Sequence, residues 1–175
     1  NKVVVMEAEH YFKAEAAEST RWTTIPYMGR TLSGVALMPY TQPTGNASLA
    51  YKLRLPENVK QVTVHVVVKS TLAFHDPAGH KYLVGFHNNE FKEVNFNANL
   101  NENPENIYSI YYPTVAGRVV ESKFSLALEH KDKDYQTLYL KPLDPGIVFE
   151  KIIVDFGGYQ KSHLFMNESP CYREK

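Results

Sequence analysis

Apolar and polar residues alternate strictly over several short stretches of the chain. Leu49, Tyr51, Leu53 and Leu55 alternate with Ser48, Ala50, Lys52 and Arg54, and Val62, Val64, Val66 and Val68 resume the pattern after Pro56-Glu57-Asn58. Successive side chains of a strand point to opposite faces, so a period of two predicts half-buried strands. These two stretches and the turn between them read as one hairpin. Further strands are predicted at residues 2–9, 31–38, 81–86, 91–96, 123–128, 136–141 and 147–156, divided by clusters of Gly, Pro, Asn and Asp. Asp144-Pro145-Gly146 is a turn signal that should join the last two long strands, because Pro presets the first central φ and Gly accepts a positive second one. Only residues 10–18 have helix-forming composition, and their poor apolar spacing limits them to a short helical turn. Pro26 and Gly29 predict a loop over residues 22–31, and residues 97–106 read as the longest exposed loop. The pattern is that of an all-β chain folded as an antiparallel β-sandwich or jelly roll.

Length, charge and cysteine usage narrow this picture. The 175 residues suit one domain, taken as residues 1–170, with a frayed tail at 171–175. Lysine plus arginine equals aspartate plus glutamate at 19 each, interspersed along the chain. That balance lacks the basic footprint that nucleic acid or an anionic membrane surface would demand. The apolar runs are too short to span a bilayer. Cys171 is the single cysteine, so it has no internal disulfide partner and the redox compartment is unreadable.

Several residues could carry chemistry. Glu7 and Glu9 stand at i and i+2, so both project from one face of the first strand, and two converging carboxylates attract a hard divalent ion. If Asp155 lies beside that strand, the three acids form a calcium cage; otherwise Glu7 and Glu9 are solvated charges on an edge. A glycosidase pair is disfavoured, since neighbouring acids on one strand do not face each other across a substrate. Trp22 is either an exposed ring on which a sugar could stack or a core anchor. The segment from Phe74 to His80 carries two imidazoles, His75 and His80, with Asp76 between them, but it has no third ligand at zinc spacing. It reads as a polar loop that could meet hydroxyls. Tyr108, Tyr111 and Tyr112 form an aromatic cluster before Pro113. Neither a Gly-x-Ser-x-Gly elbow nor a phosphate-cradling glycine loop occurs, so no catalytic machinery is visible.

Three stretches resemble the C-terminal domain of glycoside hydrolase family 115, the xylan α-glucuronidases. They are Val5-Met-Glu-Ala-Glu-His-Tyr11, Trp22-Thr-Thr-Ile-Pro-Tyr-Met-Gly-Arg-Thr31, and Thr137-Leu-Tyr-Leu-Lys-Pro-Leu-Asp-Pro-Gly-Ile-Val-Phe-Glu-Lys-Ile-Ile-Val-Asp-Phe-Gly-Gly158. The resemblance implies a β-sandwich related to carbohydrate-binding modules of families 6 and 35. Such a domain is a non-catalytic accessory appended to a catalytic domain acting on plant glucuronoxylan. In those modules a glutamate pair on the first strand and an aspartate on the last hold a structural calcium; Glu7, Glu9 and Asp155 are the matching positions. Sugar is bound there by loop aromatics and an asparagine near the C-terminus, which points to Trp22, Tyr27, His80, Tyr112 and Asn167. The implied partners are xylan or glucuronoxylan oligosaccharides and the enzyme's own catalytic domain, and the implied location is secreted or periplasmic in a bacterium. The competing expectation is a structural module that packs on the catalytic domain or completes a homodimer without binding sugar.

Overall fold

The computed structural model describes all residues except 1, 30, 70–79, 88–89, 99–102, 106, 109–118, 132–133, 163–164 and 171–175. Eleven strands run in chain order: β1 (Val3–Glu7), β2 (Lys13–Glu15), β3 (Arg21–Pro26), β4 (Ser33–Met38), β5 (Ser48–Leu53), β6 (Gln61–Lys69), β7 (Lys81–Phe86), β8 (Lys92–Asn95), β9 (Val119–Ala127), β10 (Gln136–Pro142) and β11 (Val148–Asp155). They form two sheets. The six-stranded sheet follows the order β3-β4-β11-β6-β9 with β1 also paired to β11, and the five-stranded sheet follows β2-β5-β10-β7-β8. All pairings are antiparallel. No α-helix occurs among the described residues. The chain is an all-β sandwich, as its alternation predicts.

The inner faces meet in one core. Leu49, Tyr51 and Leu53 of β5 and Leu138 and Leu140 of β10 pack against Val62, Val64, Val66 and Val68 of β6 and Phe149, Ile152 and Val154 of β11. Burying each such side chain contributes roughly 1.5–3 kcal/mol, so these strands dominate the energetics. The Tyr51 hydroxyl donates to the carbonyl of Ala8 at 2.8 Å, which satisfies a polar atom that burial would otherwise penalise. A smaller apolar cluster of Val5, Val67, Ile153 and Phe165 sits on the outer face of the six-stranded sheet, where the C-terminal segment covers it.

Four expectations need correction. The two best alternating stretches are not a hairpin: β5 pairs with β10 and β2, whereas β6 pairs with β11 and β9 in the other sheet. The link through Pro56 therefore crosses between layers. The turn at Asp144-Pro145-Gly146 does connect β10 to β11, with Gly146 at φ 85°, but it too passes from one sheet to the other. Residues 13–15 are a strand rather than a helical turn, because pairing of Lys13 with Ala50 and Glu15 with Ser48 overrides local propensity. The expected loop after Trp22 begins as β3, an edge strand that tolerates Pro26 at its end. Asn97, read as loop, is buried, while Asn103, Pro104 and Glu105 are exposed.

Candidate functional site

Two regions gather polar side chains. The first lies where β4 and β1 meet end to end along one edge of β11. β4 pairs with Val148 and Phe149, β1 pairs from Lys151 to Asp155, and a bulge at Glu150 separates the two. The carbonyl of Glu150 accepts the amide of Ala8 at 2.9 Å. Glu7 is buried there, and its Oε1 lies 3.2 Å from the Lys151 ammonium and accepts the Thr31 hydroxyl. Glu9, just past the end of β1, accepts the Ser33 hydroxyl. The His10 ring reaches Glu9 at 3.5 Å and Glu168 at 2.7 Å, while Glu168 also accepts the Glu7 amide at 3.0 Å. Ser169 binds the same strand through its amide to the Val5 carbonyl and through its hydroxyl to the Val5 amide.

Asp155 does not join this cluster. The register sets Glu7 opposite Lys151 and Asp155 opposite Val3, four residues away along β1, or about 13 Å at strand rise. Its Oδ1 accepts the amides of Gly157, Gly158 and Tyr159 at 2.8, 2.8 and 3.1 Å. Burial alone would raise its pKa, but those amides outweigh it and hold the carboxyl below the ordinary range. The expected cage of Glu7, Glu9 and Asp155 is thus not assembled. Among the described residues no three His, Cys, Asp or Glu side chains converge as a metal-binding group. The first and last strands are neighbours, as expected; the register parts the acids.

Farther along the same outer face, Glu121 is clasped by several partners. His65 Nδ1 lies 2.7 Å from its Oε1, the Tyr159 hydroxyl donates to that oxygen at 3.1 Å, and Lys161 lies 2.9 Å from its Oε2. Burial would push the carboxyl up, yet the His65 and Lys161 hydrogen bonds and charges outweigh it and hold the pKa at about 2. Burial and the adjacent Glu121 charge push the Tyr159 hydroxyl well above its ordinary value. This cluster pins the segment that follows β11.

The second region is a groove of about 930 Å³ between the edges of the two sheets. It exists because β2 covers only Ser48 to Ala50 of β5, leaving the edge from Tyr51 to Leu53 open opposite β1. Tyr51 and Leu53 lie at its base, with Glu9, His10, Tyr11, Phe12, Lys52, Arg54, Tyr135, Ser169 and Pro170 around it. Phe12 is 53 % exposed, with the Lys52 ammonium 3.7 Å from its ring centre. The Arg54 guanidinium lies 4.9 Å from the Tyr135 ring. Aromatic rings flanked by cations and hydrogen-bonding groups can grip the C–H faces, hydroxyls and carboxylates of a sugar chain. Single-residue inspection missed Phe12, Tyr135, Lys52 and Arg54, since nothing local in the sequence marks an open sheet edge.

The predicted sugar contacts fall in different settings. Trp22 is half-buried: its indole N–H donates to the Glu15 carbonyl at 2.8 Å and its ring lies 6.4 Å from Phe149, contacts that fix it against the core. His80 is only 7 % exposed, stacked on Phe96 at 5.3 Å and within 3.3 Å of the Asn97 amide nitrogen. Burial removes it from ligand contact. Tyr27 is 96 % exposed after β3, and Asn167 is exposed in the C-terminal segment beside Glu168. Tyr108 is exposed, whereas His75, Asp76, Tyr111 and Tyr112 lie outside the described residues.

Two layered antiparallel sheets, with an aromatic and polar groove at one edge, make up this β-sandwich. Solved structures share this fold. The C-terminal family 6 module of a laminarinase from Zobellia galactanivorans aligns with a TM-score of 0.56 at 11 % identity, over 87 % of this chain and 98 % of that one. A family 35 module from Clostridium thermocellum gives 0.52 at 10 % identity, over 88 % and 98 %. A family 115 4-O-methyl-α-glucuronidase with specificity for decorated arabinogalactans gives 0.62 at 13 % identity, where the match spans 88 % of this chain and 17 % of that protein. The chain belongs to the family described as the glycosyl hydrolase family 115 C-terminal domain, whose model matches residues 1–168. It is therefore an appended module and not the catalytic part of such an enzyme. No curated protein matches the chain in sequence.

Proposed function

We infer that this domain is a glycan-binding accessory module that holds a family 115 glycosidase on its polymer, and that the groove at Phe12, Lys52, Arg54 and Tyr135 is where the polymer lies. The observation that carries this reading is the pairing of two rings with two cations at an open sheet edge. Neutral sugar units need apolar faces and hydrogen bonds, whereas a uronic acid branch needs a cation; this groove offers all three. A glucuronoxylan-type polymer fits these demands. An open groove buries little ligand, so the affinity expected is roughly micromolar to millimolar, about −8 to −4 kcal/mol. The partner in this reading is the catalytic domain of the same enzyme, and the location is outside a bacterial cell or in its periplasm. Calorimetry with glucuronic-acid-decorated and undecorated xylo-oligosaccharides tests it. Decorated chains should bind more tightly, and Arg54→Ala should remove the difference. Flat heats for both would overturn the reading.

A further inference from the structure

The resemblance to the family 6 and 35 modules implies a divalent ion that holds the acidic first strand against an acid on the last strand. Here the expected acid on the last strand is elsewhere, occupied by the turn at residues 157–159. What faces Glu7 from β11 is a lysine. Lys151 is directly opposite Glu7 in the ladder, is 4 % exposed, and places its ammonium 3.2 Å from Glu7 Oε1. The same ammonium donates to the Met166 carbonyl at 2.9 Å, which ties down the C-terminal segment. A neighbouring pair of acids, Glu9 and Glu168, is bridged by His10.

A buried carboxylate among other acids requires a positive charge close by, because desolvation and like-charge repulsion both oppose its ionised form. An ammonium beside Glu7 answers that requirement, and it opposes a second, doubly charged cation at the same carboxylate. We propose that Lys151 takes the structural place of the divalent ion in this chain, joining β1, β11 and the C-terminal segment, so that the domain keeps its stability without calcium. The chain's own charge replaces a dissociable one.

The test is thermal melting of the chain stripped with EDTA, then with millimolar calcium restored, together with two variants. The unaltered chain should melt at one temperature in both conditions. Lys151→Met should melt several degrees lower and regain part of that loss when calcium is added. The double variant Glu7→Gln with Lys151→Met, which removes both charges of the pair and leaves the buried Glu150 of β11 in place, should recover stability with no response to calcium. A fall in the melting temperature of the unaltered chain in EDTA, reversed by calcium, would overturn the proposal. So would a Lys151→Met variant that melts like the unaltered chain. Should Lys151→Met not fold, the unaltered chain and the double variant still decide the question.

Discussion

Glu7 and Lys151 face each other across the β1–β11 ladder, with carboxylate and ammonium 3.2 Å apart and both side chains almost shut off from water. Removing one partner of a buried pair leaves an uncompensated charge, which costs roughly 3–5 kcal/mol. Lys151→Ala should therefore lower the unfolding free energy by about that amount in urea titrations. Glu9→Ala, at a partly exposed acid past the strand end, should cost about 1 kcal/mol or less. Equal losses would mean that burial does not separate the two sites.

The clasp around Glu121 sets an acid limit. Its carboxyl sits at about 2 against an ordinary value of 4.5, and Asp155 is also lowered. A depressed native pKa means that the unfolded chain binds protons first as pH falls. The stabilisation is then complete above the ordinary carboxylate range and is lost progressively between about pH 4.5 and pH 2. Melting temperatures recorded from pH 6 down to pH 2.5 should fall across that window, and Glu121→Gln should flatten the slope. An identical slope in the variant would assign the acid sensitivity elsewhere.

Strand positions were legible because burial on one face forces a period of two, as in Val62, Val64, Val66 and Val68. Strand partners were not. The alternation of β5 and β6 tells which face is buried, but it is silent on which sheet each joins, and both are fully buried on that face within the same core. The site was hidden for a related reason. Glu7, Glu9 and Asp155 suggest a cage only until the register is known, since opposing Val3 rather than Glu7 moves Asp155 to the far end of β1. Phe12, Lys52, Arg54 and Tyr135 come from three separate stretches, and only the short reach of β2 along β5 makes them one surface.

His80 separates fold from binding. Stacked on Phe96 beside Asn97, it supports the start of β7, where it takes a positive φ of 69°. His80→Ala should cost about 1–3 kcal/mol of stability, read by urea unfolding. Sugar affinity at the distant groove should be unchanged. A selective loss of affinity in a stably folded variant would restore His80 as a ligand contact.

Phe12 and Tyr135 are where the groove reading is most exposed to failure. Neither ring belongs to the fully buried core, so truncating it should leave the melting temperature nearly unchanged. Each ring holds a cation in place, worth about 0.5–1 kcal/mol at an exposed site, and offers an apolar face besides. Phe12→Ala and Tyr135→Ala should thus weaken binding of a decorated oligosaccharide about five- to tenfold each, close to 1–1.4 kcal/mol, in calorimetric titrations. Tyr51→Phe provides the contrast. It deletes the buried hydroxyl bond to Ala8 and should cost about 1 kcal/mol of stability while leaving the groove rim intact. Full affinity in both ring variants would move the glycan contact away from this edge, whatever the fold resembles.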